Sequence, residues 1–208
     1  MDRERLLRTL YDWEDALFAW RHGFDLGGVI PQERLLQVDS ASLAHATAYH
    51  AVWCRNLREL FAEAHKTGVT FEHFIDIGSG KGKACFYAAL HARFPSILGI
   101  EFSRALLDIA AQNHQKLSAR SGGARIAFLH ADAATVRLPT GTSLIFLFNP
   151  FDAIVLEHFL RNNMERIQSD GSCIAYANDQ HGQTLAKLGF VTLFRNQTRK
   201  LSLWRFMK

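Results

Sequence analysis

The sequence predicts an α/β protein: a doubly wound, mostly parallel sheet preceded by an N-terminal helical extension. Three observations carry this. Short apolar runs at 74–77, 97–101, 126–129, 144–148 and 173–177 alternate with helical patterns, as strand–crossover–strand units do. The fourth run, Leu144 to Phe148, is apolar throughout, which suits a central strand covered on both faces. The last two runs, 191–195 and 201–206, lie too close together for a helix between them and predict an antiparallel hairpin.

Taken in order, Leu6, Leu7, Leu10, Trp13, Leu17 and Trp20 recur near helical spacing, and Val52, Trp53, Leu57, Leu60, Phe61 and Ala64 do the same. They predict two amphipathic helices in an extension or cap over residues 1–70. The aromatic stripe is expected to be core, packed on the sheet or lidding its cleft. Between the helices, Phe24 to Pro31 reads as a glycine- and proline-punctuated connection. About seventy residues of helix gain more by packing on the sheet than by folding alone.

The most informative stretch is Phe-Ile-Asp-Ile-Gly-Ser-Gly-Lys-Gly-Lys, residues 74–83. A buried strand runs into a turn whose Gly78, Gly80 and Gly82 permit tight turning and close backbone approach to a ligand. The helix predicted over Lys83 to Ala92 opens there with free N–H groups. A dinucleotide fingerprint needs a glycine where Lys83 stands, and a Walker A loop needs Ser or Thr where Ala84 stands. Neither common phosphate loop fits. The second strand ends in Glu101, about twenty residues past the loop, where an acid accepts ribose hydroxyls in adenosine-type sites; Ser103 is placed to cap the following helix. The third strand leads into His130-Ala131-Asp132-Ala133, and the fourth into Asn149-Pro150-Phe151-Asp152, at the strand ends where open α/β sheets bind ligands. Helices over 153–167 and 180–188 and the strand over 173–177 complete the pattern.

Asp76, two positions before the first of three alternating glycines, resembles the first motif of the class I S-adenosylmethionine-dependent methyltransferases. A carboxylate here opposes a pyrophosphate but suits a cofactor carrying an ammonium and a sulfonium. The resemblance covers residues 71–208 and implies one seven-stranded sheet with its final strand inserted antiparallel, S-adenosyl-L-methionine as cofactor, and methyl transfer to an acceptor such as a protein or small-molecule amine. It implies a cofactor pocket from Asp76, Gly78, Ser79, Gly80, Glu101, Phe102, Asp132, Ala133 and Asn149, with Asp132 and Ala133 beside the adenine.

Asn149-Pro150-Phe151 stands where amino-methylating enzymes carry Asn/Asp-Pro-Pro-aromatic, with one proline fewer, and is assigned with Tyr49 to the acceptor side; Asp152 is a further candidate assistant there. The Asp-x-Gly-Ser-Gly order is also loosely similar to Dot1-type lysine methyltransferases, whose threonine or tyrosine ahead of the first motif closes over the cofactor, and this adds Thr47 and Tyr49 to the pocket. The alternatives are a nicotinamide-dependent oxidoreductase and a non-catalytic binding module of the same fold.

Other classes find little footing. The ten histidines and the three cysteines, Cys54, Cys85 and Cys173, show no metal-ligand spacing. No apolar run approaches the roughly 20 residues of a membrane helix, and the start Met1-Asp-Arg-Glu-Arg5 is unlike a secretory signal, so a cytoplasmic protein is expected. The net charge of +4 is concentrated late, with Lys187, Arg195, Arg199, Lys200, Arg205 and Lys208 beyond the last acid. A solvated hairpin face is the favoured reading of that cluster, ahead of nucleic-acid contact.

Overall fold

The computed structural model describes residues 3–28, 50–118 and 125–207; Thr47 and Tyr49 lie outside them. The elements are α1 (Arg3–His22), α2 (Cys54–Lys66), β1 (His73–Ile77), α3 (Lys83–His91), β2 (Ser96–Glu101), α4 (Arg104–Ser118), β3 (Arg125–His130), β4 (Ser143–Leu147), α5 (Ala153–Ser169), β5 (Cys173–Ala177), α6 (Gly182–Lys187), β6 (Phe190–Asn196) and β7 (Leu201–Phe206). The strands form one seven-stranded sheet in the order β3-β2-β1-β4-β5-β7-β6. Neighbours from β3 to β5 are parallel, and β7 runs antiparallel to both β5 and β6. The expected hairpin is present, with an irregularity between Thr192 and Phe194.

Alternation along the strands divides the core in two. Phe74, Leu144, Phe146, Cys173, Ala175, Leu201 and Leu203 face α1, α2 and α3. Ile75, Ile77, Ile145, Leu147, Ile174 and Tyr176 face α5 and α6. Burying a side chain such as Phe74 contributes roughly 1.5–3 kcal/mol. The exposed pairs Arg104–Asp108 and Arg161–Glu157 contribute at most about 1 kcal/mol each. The two sheet faces therefore carry the fold. β1 is central in the order, flanked by β2 and β4, and its carboxyl end marks the topological switch point where such sheets bind ligands.

α2 packs inward as its pattern predicts, through Leu57, Leu60 and Ala64. α1 does the opposite: Leu6, Leu7, Leu10, Trp13, Leu17 and Trp20 are all exposed. Its inward face carries Phe18, with Tyr11, Glu14, Asp15 and Ala19 partly buried. The polar residues tolerate that position because each has a partner. Asp15 pairs with Lys83 at 2.5 Å and accepts the Cys54 N–H that opens α2, and Glu14 accepts from Arg58 at 2.5 Å. The late basic cluster is partly neutralised: Arg195 pairs with Asp179, and Arg199 pairs with Glu59.

Candidate active site

The loop after β1 is fastened to the end of β2. The Gly78 and Ser79 N–H groups both donate to the Ile100 carbonyl, at 2.8 and 3.0 Å, and the Gly82 N–H donates to the Ser79 carbonyl. Gly78 has φ 78°, in the left-handed region, and a Cβ placed there would lie 2.4 Å from the Pro150 Cβ. The ends of β1 and β4 thus meet in direct contact, and only glycine permits it. On the other side Gly99 clears space: a Cβ there would meet the Phe128 ring at 2.6 Å and the Ser79 Oγ at 2.8 Å. The Ser79 hydroxyl is buried without a hydrogen-bond partner.

Two buried carboxylates flank this loop. Glu101 accepts from the Gly80 N–H at 2.8 Å through Oε2 and from the Ser103 N–H at 2.9 Å through Oε1. Burial pushes its pKa up, opposed by those backbone bonds and by His130. A carboxylate has about four lone-pair sites, so Glu101 keeps capacity to accept a ligand hydroxyl beside its backbone bonds. Asp76 is buried on the α3 side of β1, with the Cys85 thiol donating to its Oδ2 at 3.8 Å. Burial first, and the Glu101 charge second, push its pKa up to about 8, opposed only by the thiol bond. A cationic ligand group here relieves that cost.

The remaining expected residues fall into two groups. Asp132 sits at the turn after β3, where Oδ1 accepts the Ala134 N–H at 2.8 Å, and Ala133 is half-buried beside it. Phe102 offers its carbonyl to His130 Nε2 at 2.7 Å. Asn149 is buried at φ 45°, in the left-handed region that asparagine tolerates better than most residues, and its Oδ1 accepts the Tyr176 hydroxyl at 3.0 Å. Burial pushes the Tyr176 phenol up, so it stays a neutral donor. Asp152 is the N-cap of α5, accepting the Ile154 and Val155 N–H groups, and Asn149 is therefore not needed as the cap. The Phe151 ring, assigned to the acceptor side, is buried in the core that packs on α5. The half-buried aromatic at this strand end is Phe148, packed on the opposite layer, on the same side of the sheet as Phe146.

The N-terminal segment contributes what periodicity did not reveal. Lys81, inside the glycine loop, is buried and donates to Asp25 Oδ1 at 2.8 Å and to the Gly27 carbonyl at 2.7 Å. Asn113 of α4 ties the same strap, accepting the Asp25 N–H at 2.8 Å and donating to the Asp25 carbonyl at 2.9 Å. The loop lysine is thus engaged by the strap over 24–28, and the charge bonded to the loop backbone is the acid Glu101. A pyrophosphate fits that donor set poorly.

Residues 75–170 match the family model described as a methyltransferase domain. The match runs from β1 through α5 and includes Asp76, the glycines, Glu101, Asp132 and Asn149. A search of curated proteins finds no significant match. Among solved structures, the ribosomal protein L11 methylase from Lactobacillus delbrueckii subsp. bulgaricus is similar with a TM-score of 0.52 at 14% identity, over 73% of this chain and 77% of that one. A magnesium protoporphyrin IX methyltransferase from Synechocystis PCC 6803 with bound SAM gives 0.52 at 13%, over 74% and 79%. A SAM-bound amino pentose methyltransferase from Micromonospora echinaspora, involved in calicheamicin biosynthesis, gives 0.54 at 11%, over 76% and 92%. At such identity these likenesses establish the shared fold. With the family match, the two carboxylates and the glycine loop support S-adenosylmethionine as the cofactor. No helix of the described residues is long and apolar enough to cross a membrane, and they hold no cluster of metal-ligating side chains.

Proposed function

We propose that the chain transfers a methyl group from S-adenosylmethionine to an acceptor seated against Asn149 and Pro150. The observation that carries this is the pair of buried carboxylates, Asp76 and Glu101, on either side of a glycine loop closed against Pro150. When bound, the cofactor supplies a methyl carbon on a positively charged sulfur. Asp76 would hold the ammonium of its amino-acid end, Glu101 the ribose hydroxyls, and Asp132 with Ala133 the adenine. Gly78, Ser79 and Gly80 allow the close approach, Phe102 borders the ribose side, and Thr47 and Tyr49 belong to the same pocket in this reading. Two buried acids beside the loop speak against the nicotinamide alternative, and so complete a site gives no reason to prefer a non-catalytic module.

The acceptor we favour is an amine of a protein or small molecule. A lysine-type amine is neutral in only about one molecule in a few thousand at pH 7, so a site that orients and neutralises it removes around 4–5 kcal/mol. Asn149 and Tyr49 are assigned there, and the Tyr176 hydroxyl fixes the Asn149 amide. Phe151 supports the strand end from the core. The looser likeness to Dot1 enzymes receives no support from the family model or the solved structures, and no lysine-specific acceptor is drawn from it.

The experiment is a labelled-methyl transfer assay over a panel of amine acceptors. Once an acceptor is found, Asn149→Ala is expected to lower turnover by about a hundredfold, the scale of a lost positioning contact. Tyr176→Phe should lower it about tenfold, matching one hydrogen bond of roughly 1.5 kcal/mol. Cofactor affinity should change little in either variant, since the contact acts at the acceptor. Parallel losses of stability and turnover would reduce Asn149 to a structural residue.

A further inference from the structure

The outward face of α1 is the least explained surface of the protein. Six of its side chains are large, apolar and exposed, with Trp13 at 73% and Trp20 at 80% of their full accessibility. Leu6, Leu10, Trp13, Leu17 and Trp20 follow the spacing 4-3-4-3, a heptad seam with Leu10 and Leu17 at a and Leu6, Trp13 and Trp20 at d. The same register puts Tyr11, Asp15, Phe18 and His22 at b and f, the buried or half-buried side that packs on the protein's own core. α1 is thus held from behind while it presents a narrow seam in front. A seam of this width suits one helix; a membrane surface calls for a broader apolar face.

We propose that the seam is covered by α1 of a second copy of this chain, forming a two-fold dimer. A tryptophan buries about 150–250 Å². With the three seam leucines and Leu7 beside them, the stripe offers on the order of 600 Å² per copy, which reaches the lower bound of a specific interface at roughly 1,200 Å² in total. A monomer rarely leaves so large a contiguous apolar patch open. The seam edges permit the pairing. In a parallel pair the e and g positions bring Thr9 against Glu14 and Ala16 against Arg21, so no like charges are opposed. The charged groups of the inner face are already paired with Arg58 and Lys83 and leave the seam apolar.

Sedimentation equilibrium tests this on the full chain. The wild type is expected to be a dimer at micromolar concentration, while Trp13→Glu and the double variant Leu10→Glu/Leu17→Glu become monomers that keep the wild-type S-adenosylhomocysteine affinity and melt with the wild type diluted below its dimer dissociation constant. A wild type that stays monomeric at high micromolar concentration would overturn the proposal, as would a dimer that survives both variants. Variants that melt below the diluted, monomeric wild type would mean that the stripe is covered within its own chain. One that instead sediments with phosphatidylserine vesicles would assign it to a lipid surface. Either result would also overturn the dimer.

Discussion

Gly78→Ala is expected to displace the glycine loop, lowering stability by about 2–5 kcal/mol and S-adenosylhomocysteine affinity by about a hundredfold. Two costs add. The methyl group would sit 2.4 Å from the Pro150 Cβ, inside van der Waals contact, and overpacking of this kind costs about 1–3 kcal/mol. The residue must also keep φ 78°, which costs an L-residue about 1–2 kcal/mol. The loop cannot simply yield, because its next N–H groups are bound to Ile100 and Glu101. Thermal melting and calorimetric titration check both numbers. A Gly78→Ala protein with wild-type affinity would show that the β1–β4 contact does not shape the cofactor pocket.

Asp76 gives the second large effect, and its sign follows from its raised pKa. In the ligand-free protein its pKa is about 8, well above that of an unfolded aspartate. Its contribution to stability is therefore fully present below about pH 4 and is lost as pH rises toward 8. In its proposed role beside a ligand ammonium Asp76 must be charged, so binding below pH 8 should expel a proton. S-adenosylhomocysteine affinity should rise by up to roughly tenfold per pH unit between about pH 6 and 7.5, above which the ligand's own amine begins to lose its charge. Calorimetry in buffers of different ionisation enthalpy should count the released proton. Asp76→Asn should bind weakly, without that slope and without proton release. A slope unchanged in Asp76→Asn would remove Asp76 from the ammonium site.

Much of this was legible in the chain because the chemistry is local. Asp76, the three glycines and Glu101 sit at strand ends fixed by short apolar runs, and the parallel crossovers follow from the alternation of strand and helix patterns. Long-range polar contacts leave no such period. Nothing in Lys81 announces Asp25 and Gly27 as its partners, and nothing in Tyr176 announces Asn149. α1 shows a different limit: periodicity defines two faces of a helix without saying which turns inward. Here the face carrying Glu14 and Asp15 turns inward because Arg58 and Lys83 wait there, and the apolar stripe is left outside. Phe151 shows a third. Phe148 and Phe151 lie three positions apart at the end of β4 and join opposite layers of the core, which the motif's order alone does not reveal.

The same geometry alters how Glu101 should be probed. Both its oxygens accept backbone N–H groups, so a glutamine would aim its own N–H₂ at one of them and disturb the loop as well as the ribose contact proposed for it. The most direct measurement is therefore made on the unaltered protein: titration with S-adenosylhomocysteine and, separately, with NAD, read by calorimetry and by melting. Saturable binding of the methionine-derived ligand at one site per chain is predicted, with stabilisation of roughly 2.7 kcal/mol at a hundred times its dissociation constant and no comparable effect of NAD. Stabilisation by NAD, with no response to S-adenosylhomocysteine, would contradict the account.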